Sequence, residues 1–170
     1  TAECYLGTTE NGDIASNEEL VGKALKNYRD KVIIATKFGV KHNNTELITD
    51  SRPETIIKSV DGSLKRLGTD YIDLYYQHRL DPDVPVEEVA GTISDLIKAG
   101  KIRAWGISEV DEEHIRRADK ICPLTAIQNR YSMMYRYYEP LMPVLKELQI
   151  TFVAHSPLAN GFLTGKYNKE

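Results

Sequence analysis

A parallel β/α barrel, present only in part, is the fold class that this 170-residue sequence predicts, and three observations predict it. Five apolar runs of strand length alternate with segments of helical period, the order that builds a parallel sheet covered by helices. Polar, chemically capable residues gather at the C-terminal ends of those runs: Lys37, then Gln77 and His78, Ser108 and Glu109, Gln128 and Asn129, His155 and Ser156. A β/α barrel assembles its active site from those ends. No GxGxxG follows any run, which argues against an open, doubly wound dinucleotide-binding sheet.

The elements follow in order. The chain opens on "TAECYLG", which reads as the tail of a strand. Ser16 or Asn17 can cap a first helix with Glu18 or Glu19 in its opening turn, and Leu20, Val21, Ala24, Leu25 and Tyr28 share one face. The strand "VIIATKFG" at 32–39 comes next, then a helix opened by Pro53, striped with Ile56, Ile57, Val60, Leu64 and Leu67, and closed by Gly68. Strand 71–78 leads to helix 86–99, with Val86, Val89, Ile93, Leu96 and Ile97 on one side and Gly100 after it. Strand 102–109, a short helix at 111–120, strand 124–132, a helix from Glu139 to Leu148 and strand 150–158 complete the series. The reading is a single domain over 1–170, from the end of a barrel's second strand through its seventh and the loop after it. A whole barrel needs about 250 residues. The expectation is therefore a piece of a longer protein, with exposed sheet edges through which copies could associate.

Composition narrows the function. A chain that is 41% hydrophobic and 28% charged is an ordinary globular one. A net charge of −3 with scattered Lys and Arg supplies no field for nucleic acid. No apolar stretch nears the roughly 20 residues that span a bilayer, so no membrane partner is expected and the cytoplasm is the expected compartment. Cys4 and Cys122 lack CxxC spacing and read as reduced thiols. The four histidines form no HxH or HExxH, so no metal site is expected. His42 falls in a polar loop, "KHNNTE".

Three residues carry the chemistry. Lys37 ends an apolar strand, where an ammonium either pairs with an acid, loses basicity or snorkels to solvent. Tyr5 alone reads equally as a packing residue, and His78 as the close of a strand. Together they suggest more. A phenol can act as an acid near neutrality if an ammonium beside it stabilises the phenolate, and a histidine opposite can polarise a carbonyl oxygen lying between them.

The blocks "TAECYLG…NEELVGKAL", "VIIATKFG", "SLKRLGTDYIDLYYQHRLDP", "GKIRAWGISEV", "AIQNRYSMM" and "FVAHSPLANGFLTGKY" resemble the successive signatures of the aldo-keto reductases, from Thr1 to about Tyr167. The resemblance implies an eight-stranded barrel that binds NADPH (as NADP when oxidised) without a glycine-rich turn and reduces small-molecule aldehydes and ketones. It implies that Tyr5 is the general acid, that Lys37 lowers its pKa and that His78 orients the carbonyl. The family's aspartate would stand before Thr1. Ser108 and Gln128 match residues that hold the nicotinamide carboxamide, with Glu109 where many members have Asn. Ser156, Leu158, Gly161 and Leu163 fall in the loop matched to the pyrophosphate, and His155 stands where an aromatic tyrosine usually stacks on the nicotinamide. The alternatives are a non-catalytic cofactor-binding module, as in channel-associated β subunits that resemble these reductases, and an inactive fragment.

Overall fold

Burying continuous apolar runs on both faces requires a parallel sheet, and a computed structural model, which describes residues 1–43 and 46–167, contains one of five strands. A short antiparallel hairpin, β1 (Leu6–Thr8) and β2 (Ile14–Ser16), leads into α1 (Asn17–Leu25) and a 3-10 stretch at Lys26–Lys31. Then come β3 (Ala35–Phe38), a second antiparallel hairpin of β4 (Val40–Asn43) and β5 (Glu46–Thr49), and α2 (Pro53–Leu67). The chain continues through β6 (Ile72–Gln77), α3 (Val86–Lys98), β7 (Ile102–Ser108), α4 (Glu112–Ile121) and β8 (Ala126–Arg130). A 3-10 turn at Glu139–Leu141, α5 (Met142–Glu147), β9 (Thr151–His155) and a kinked 3-10 segment at Ala159–Thr164 follow.

The large sheet runs β3-β6-β7-β8-β9 and every pairing in it is parallel. Its two edge strands do not pair with each other, so the barrel stays open. Helices α2, α3, α4 and α5 are the crossovers. Their buried stripes, including Ile56, Val60, Val89, Ile93, Ile115 and Leu145, meet Tyr75, Trp105, Ile107 and Ile127 in one core. Among the described residues no helix is long and apolar enough to cross a membrane.

Several expectations change. Thr1–Tyr5 is not a strand, although the Thr1 and Glu3 nitrogens donate to Ala35 O (2.9 Å) and Lys37 O (3.1 Å) in strand-like alternation. That segment covers the outer edge of β3, leaving β9 as the open edge. The two hairpins have strands too short to show a clear alternation in sequence, and His42 lies in β4 rather than in a loop; Asn44 and Thr45 of "KHNNTE" lie outside the described residues. Leu20 on α1 and Tyr28 in the 3-10 stretch after it are exposed, and the one buried residue of α1 is Glu18, at 0%. Its carboxylate accepts from Thr36 Oγ1 at 2.5 Å and from Arg66 Nε at 2.6 Å, clamping α1, β3 and α2 together. A buried charge paired in this way is held by its partners, not by apolar packing.

Strand parity also divides the polar strand ends. Gln77 donates to Ser51 Oγ at 3.0 Å, and Asn129 accepts from Val110 N at 3.1 Å and donates to Val110 O at 2.8 Å. Both face the helices. Successive side chains in a strand point to opposite faces, so Lys37, His78, Ser108 and Gln128 face the other way.

Candidate active site

Register sets the rows of the inner face. Lys37 pairs with Tyr76, Tyr76 with Gly106 and Gly106 with Ala126. One step toward the C-terminal mouth, His78 N donates to Phe38 O at 2.9 Å, and Ser108 pairs with Gln128, which pairs with Val153. His155 pairs with Arg130, further out again. The lower row is solid: a Cβ on Gly106 would lie 2.3 Å from Ala126 O and 2.6 Å from the Tyr76 ring. Tyr76 therefore forms a floor under the polar row.

Three segments converge above that floor. The Tyr5 and His78 rings meet edge to face with centroids 5.7 Å apart, and Lys37 Nζ lies 5.2 Å from the Tyr5 ring centroid while donating to Thr1 O at 3.2 Å. Lys37 and His78 are each 8% exposed, and Tyr5 is 39% exposed. Tyr5 is placed by the turn before it, in which Tyr5 N donates to Ala2 O at 3.1 Å.

The electrostatics follow from burial. Burial, then the cations Lys37 and Arg79, push the His78 imidazole down to about 3, so it is neutral at ordinary pH. Burial also lowers Lys37. The Tyr5 phenol is pushed up, by burial first and by Cys4 second, with Arg79 drawing it back. The net displacement of Tyr5 is upward, opposite to the depression that the resemblance implies, because burial is the largest influence on the phenol.

Ser108 is buried, and its Oγ accepts from Arg79 at 3.2 Å. Its own proton is thus left to donate to a ligand. Gln128, half-buried in the same row, offers one acceptor and two donors, the complement of another carboxamide. Glu109 is engaged by the protein itself: it takes φ 55°, and its carboxylate accepts from Arg130 N (2.7 Å) and Tyr138 Oη (2.8 Å). The 156–164 loop is bent by positive φ at Ser156, Ala159, Asn160 and Gly161. In it the amides of Gly161 and Leu163 both donate to Leu158 O, at 3.0 and 3.1 Å. His155 is exposed and lies 3.4 Å from Ser156 Oγ. The structure thus gathers Tyr5, Lys37, His78, Ser108 and Gln128, and sets His155 and the loop at the open end.

The model of the Aldo/keto reductase family matches residues 1–170. The chain belongs to the aldo/keto reductase family. It is similar to the Probable aldo-keto reductase 1 of Glycine max, 44% identical over 165 residues that make up 95% of this chain and 48% of that protein. The aldo-keto reductase yakc of Schizosaccharomyces pombe, whose name specifies NADP(+), is 41% identical over 160 residues, 89% of this chain and 47% of that one. The structure of the glycerol dehydrogenase AKR11B4 from Gluconobacter oxydans superposes with a TM-score of 0.84 at 34% identity, over 90% of this chain and 49% of that one. This aldo/keto reductase chain therefore spans about half the length of the relatives it matches.

Two members of the site were missed in the sequence. Arg79 donates to His78 O at 2.6 Å and to Ser108 Oγ at 3.2 Å, bridging the ends of two neighbouring strands. Its only local signal is its place beside His78 in "YYQHRLDP". Cys4 Sγ lies 3.5 Å from His78 Nδ1, a contact with no sequence signal. Asp81 in the same motif is structural, accepting from the amides of Ser51 and Asp83 at 2.7 and 3.0 Å.

Proposed function

We propose that the protein containing this chain reduces aldehyde or ketone carbonyls of small molecules with NADPH. The observation that carries the reading is the convergence of Tyr5 from a turn, Lys37 from β3 and His78 from just beyond β6. When bound, NADPH supplies the hydride to the carbonyl carbon. Ser108 and Gln128 hold the nicotinamide carboxamide, and the loop after β9 receives the phosphates. The NADP(+) in the name of the yakc relative supports that choice of cofactor.

The proton assignments follow from the charge states. His78, neutral with a pKa of about 3, is no imidazolium acid and acts as a hydrogen-bond donor to the carbonyl oxygen. Tyr5, protonated at neutral pH, gives its proton to that oxygen as the alkoxide develops. Lys37 then faces a phenolate, and Coulomb attraction at this partly desolvated position stabilises it. Tyr5 is exposed enough, at 39%, to recover its proton from solvent. Tyr5→Phe is expected to lower NADPH-dependent reduction of benzaldehyde by about 10²- to 10⁴-fold, with NADPH binding unchanged by fluorescence titration. Undiminished turnover in that variant would remove Tyr5 as the acid.

A second reading is a cofactor-binding module without turnover, in which the same residues hold NADPH without completing the reduction. The same assay separates the two: NADPH binding with no aldehyde reduction by the unsubstituted protein supports the module.

A further inference from the structure

We infer that Cys4 is a positioning residue for His78: its thiol donates to Nδ1 and holds the imidazole in the tautomer, and at the ring angle, that leaves Nε2–H for a carbonyl oxygen. This inference rests on the carbonyl reduction proposed above and deepens it by one residue. Cys4 itself touches no reacting atom.

Both ends of the contact are held by ties that have nothing to do with the thiol. Cys4 lies in a turn whose flanks are fixed: Glu3 N donates to Lys37 O at 3.1 Å, Tyr5 N donates to Ala2 O at 3.1 Å, and Glu3 Oε1 accepts from Gly39 N at 2.9 Å. His78 is fixed through its own N, donating to Phe38 O at 2.9 Å, and through its O, accepting from Arg79 at 2.6 Å. Between these anchors Sγ meets Nδ1 at 3.5 Å, within hydrogen-bonding range for sulfur. The Tyr5 ring, meeting the imidazole edge to face with centroids 5.7 Å apart, adds a further limit on its rotation.

The polarity of the contact follows from donor chemistry. A neutral imidazole has one N–H and one bare nitrogen, and the bond made by one nitrogen sets the protonation of the other. Burial raises the Cys4 thiol, so S–H persists, and burial with neighbouring cations keeps His78 neutral. A thiol is a poor acceptor and a bare ring nitrogen a good one, so the arrangement S–H to Nδ1 wins. The remaining nitrogen, Nε2, then carries the proton. A donor pointing at the substrate is what polarising a carbonyl requires; the opposite tautomer would present a lone pair and repel the oxygen.

The test reads the tautomer directly and the chemistry separately. In histidine-¹⁵N-labelled protein, with the His78 signals assigned by their loss in His78→Gln, the wild-type ring is expected to show one protonated Nε2 and one bare Nδ1. In Cys4→Ala both nitrogens are expected to move toward averaged values, and in Cys4→Ser, which keeps a donor, the wild-type pattern is expected to return. Reduction of benzaldehyde is expected to lose about tenfold in kcat in Cys4→Ala, a fraction of what removing a carbonyl donor outright costs, with NADPH affinity unchanged and Cys4→Ser within about twofold of wild type. A His78 pattern identical in wild type and Cys4→Ala, or a wild-type ring protonated at Nδ1, overturns the inference even if the protein turns over. Absence of turnover in wild type, with the tautomer shift present, removes the proposed reaction and leaves the positioning contact standing. If Cys4→Ala fails to fold, Cys4→Ser and the wild-type tautomer decide: a Nδ1-protonated ring in either overturns it.

Discussion

On the helix side of the sheet, Trp105, Ile107 and Ile127 are fully buried against α3, α4 and neighbouring apolar residues, and Trp105 Nε1 donates to Cys122 O at 3.1 Å. On the opposite side the same strands place Lys37, His78 and Ser108, nearly as buried but polar, with Gln128 half-buried beside them. One face gains stability by removing apolar area from water. The other gives some up, since a desolvated ammonium and a neutralised imidazole are groups that water would solvate better. The contrast follows strand parity, with buried, hydrogen-bonded Gln77 and Asn129 as polar exceptions on the helix side.

The largest effect is expected on the apolar side. Trp105→Ala is expected to lower the free energy of unfolding by about 3–5 kcal/mol, measured by urea denaturation. Lys37→Met is expected to do the reverse of this: turnover falls about 10²- to 10³-fold, while stability moves by less than about 1 kcal/mol, because losing the bond to Thr1 O is offset by losing a desolvated charge. A loss of stability in Lys37→Met as large as in Trp105→Ala would show that the inner face is structural and end the distinction.

A smaller effect concerns pH. His78 has a folded pKa of about 3 against 6.5 for the free side chain, so between those values the unfolded chain binds more protons than the folded one. Stability from this group is present above about pH 6.5 and declines as pH falls toward about 3. The urea midpoint should drop between pH 7 and pH 4.5, and His78→Gln should flatten that drop. An unchanged slope in the variant would place His78 in a more solvated setting than its burial indicates. The smallest change lies at the open end of the inner face, where His155 is exposed. His155→Tyr supplies a larger ring to stack on a nicotinamide and should tighten NADPH binding by about 1 kcal/mol, roughly fivefold. An unaltered affinity would remove His155 from the cofactor site.

Much of this was legible in the sequence where signals are local. Continuous apolar runs, the stripe of Ile56, Val60 and Leu67, and the Gly68 terminator are set by periodicity and backbone sterics and appear where expected, whereas Ile57 of the same predicted stripe is exposed. Glu18 was legible only as an acidic residue in a helix's first turn, because its burial depends on Arg66, which is 48 residues away. The hairpins at Leu6–Ser16 and Val40–Thr49 consist of strands too short for alternation to register. Gln77 and Asn129 looked like members of the site because sequence places them beside His78 and Gln128, and only the sheet shows that they face the helices.

The sequence by itself determined the order of elements, the parallel β/α architecture and the placing of polar residues at strand ends, since each follows from patterns within a few neighbouring residues. Tertiary structure alone decided which of two adjacent polar residues points inward, that Glu18 is a buried clamp, that Arg79 bridges His78 to Ser108, and that Cys4 meets Nδ1. Apart from the bond between the adjacent Arg79 and His78, the contacts among these join groups distant in the chain. Register and the meeting of separate segments set them, and no local period encodes either one.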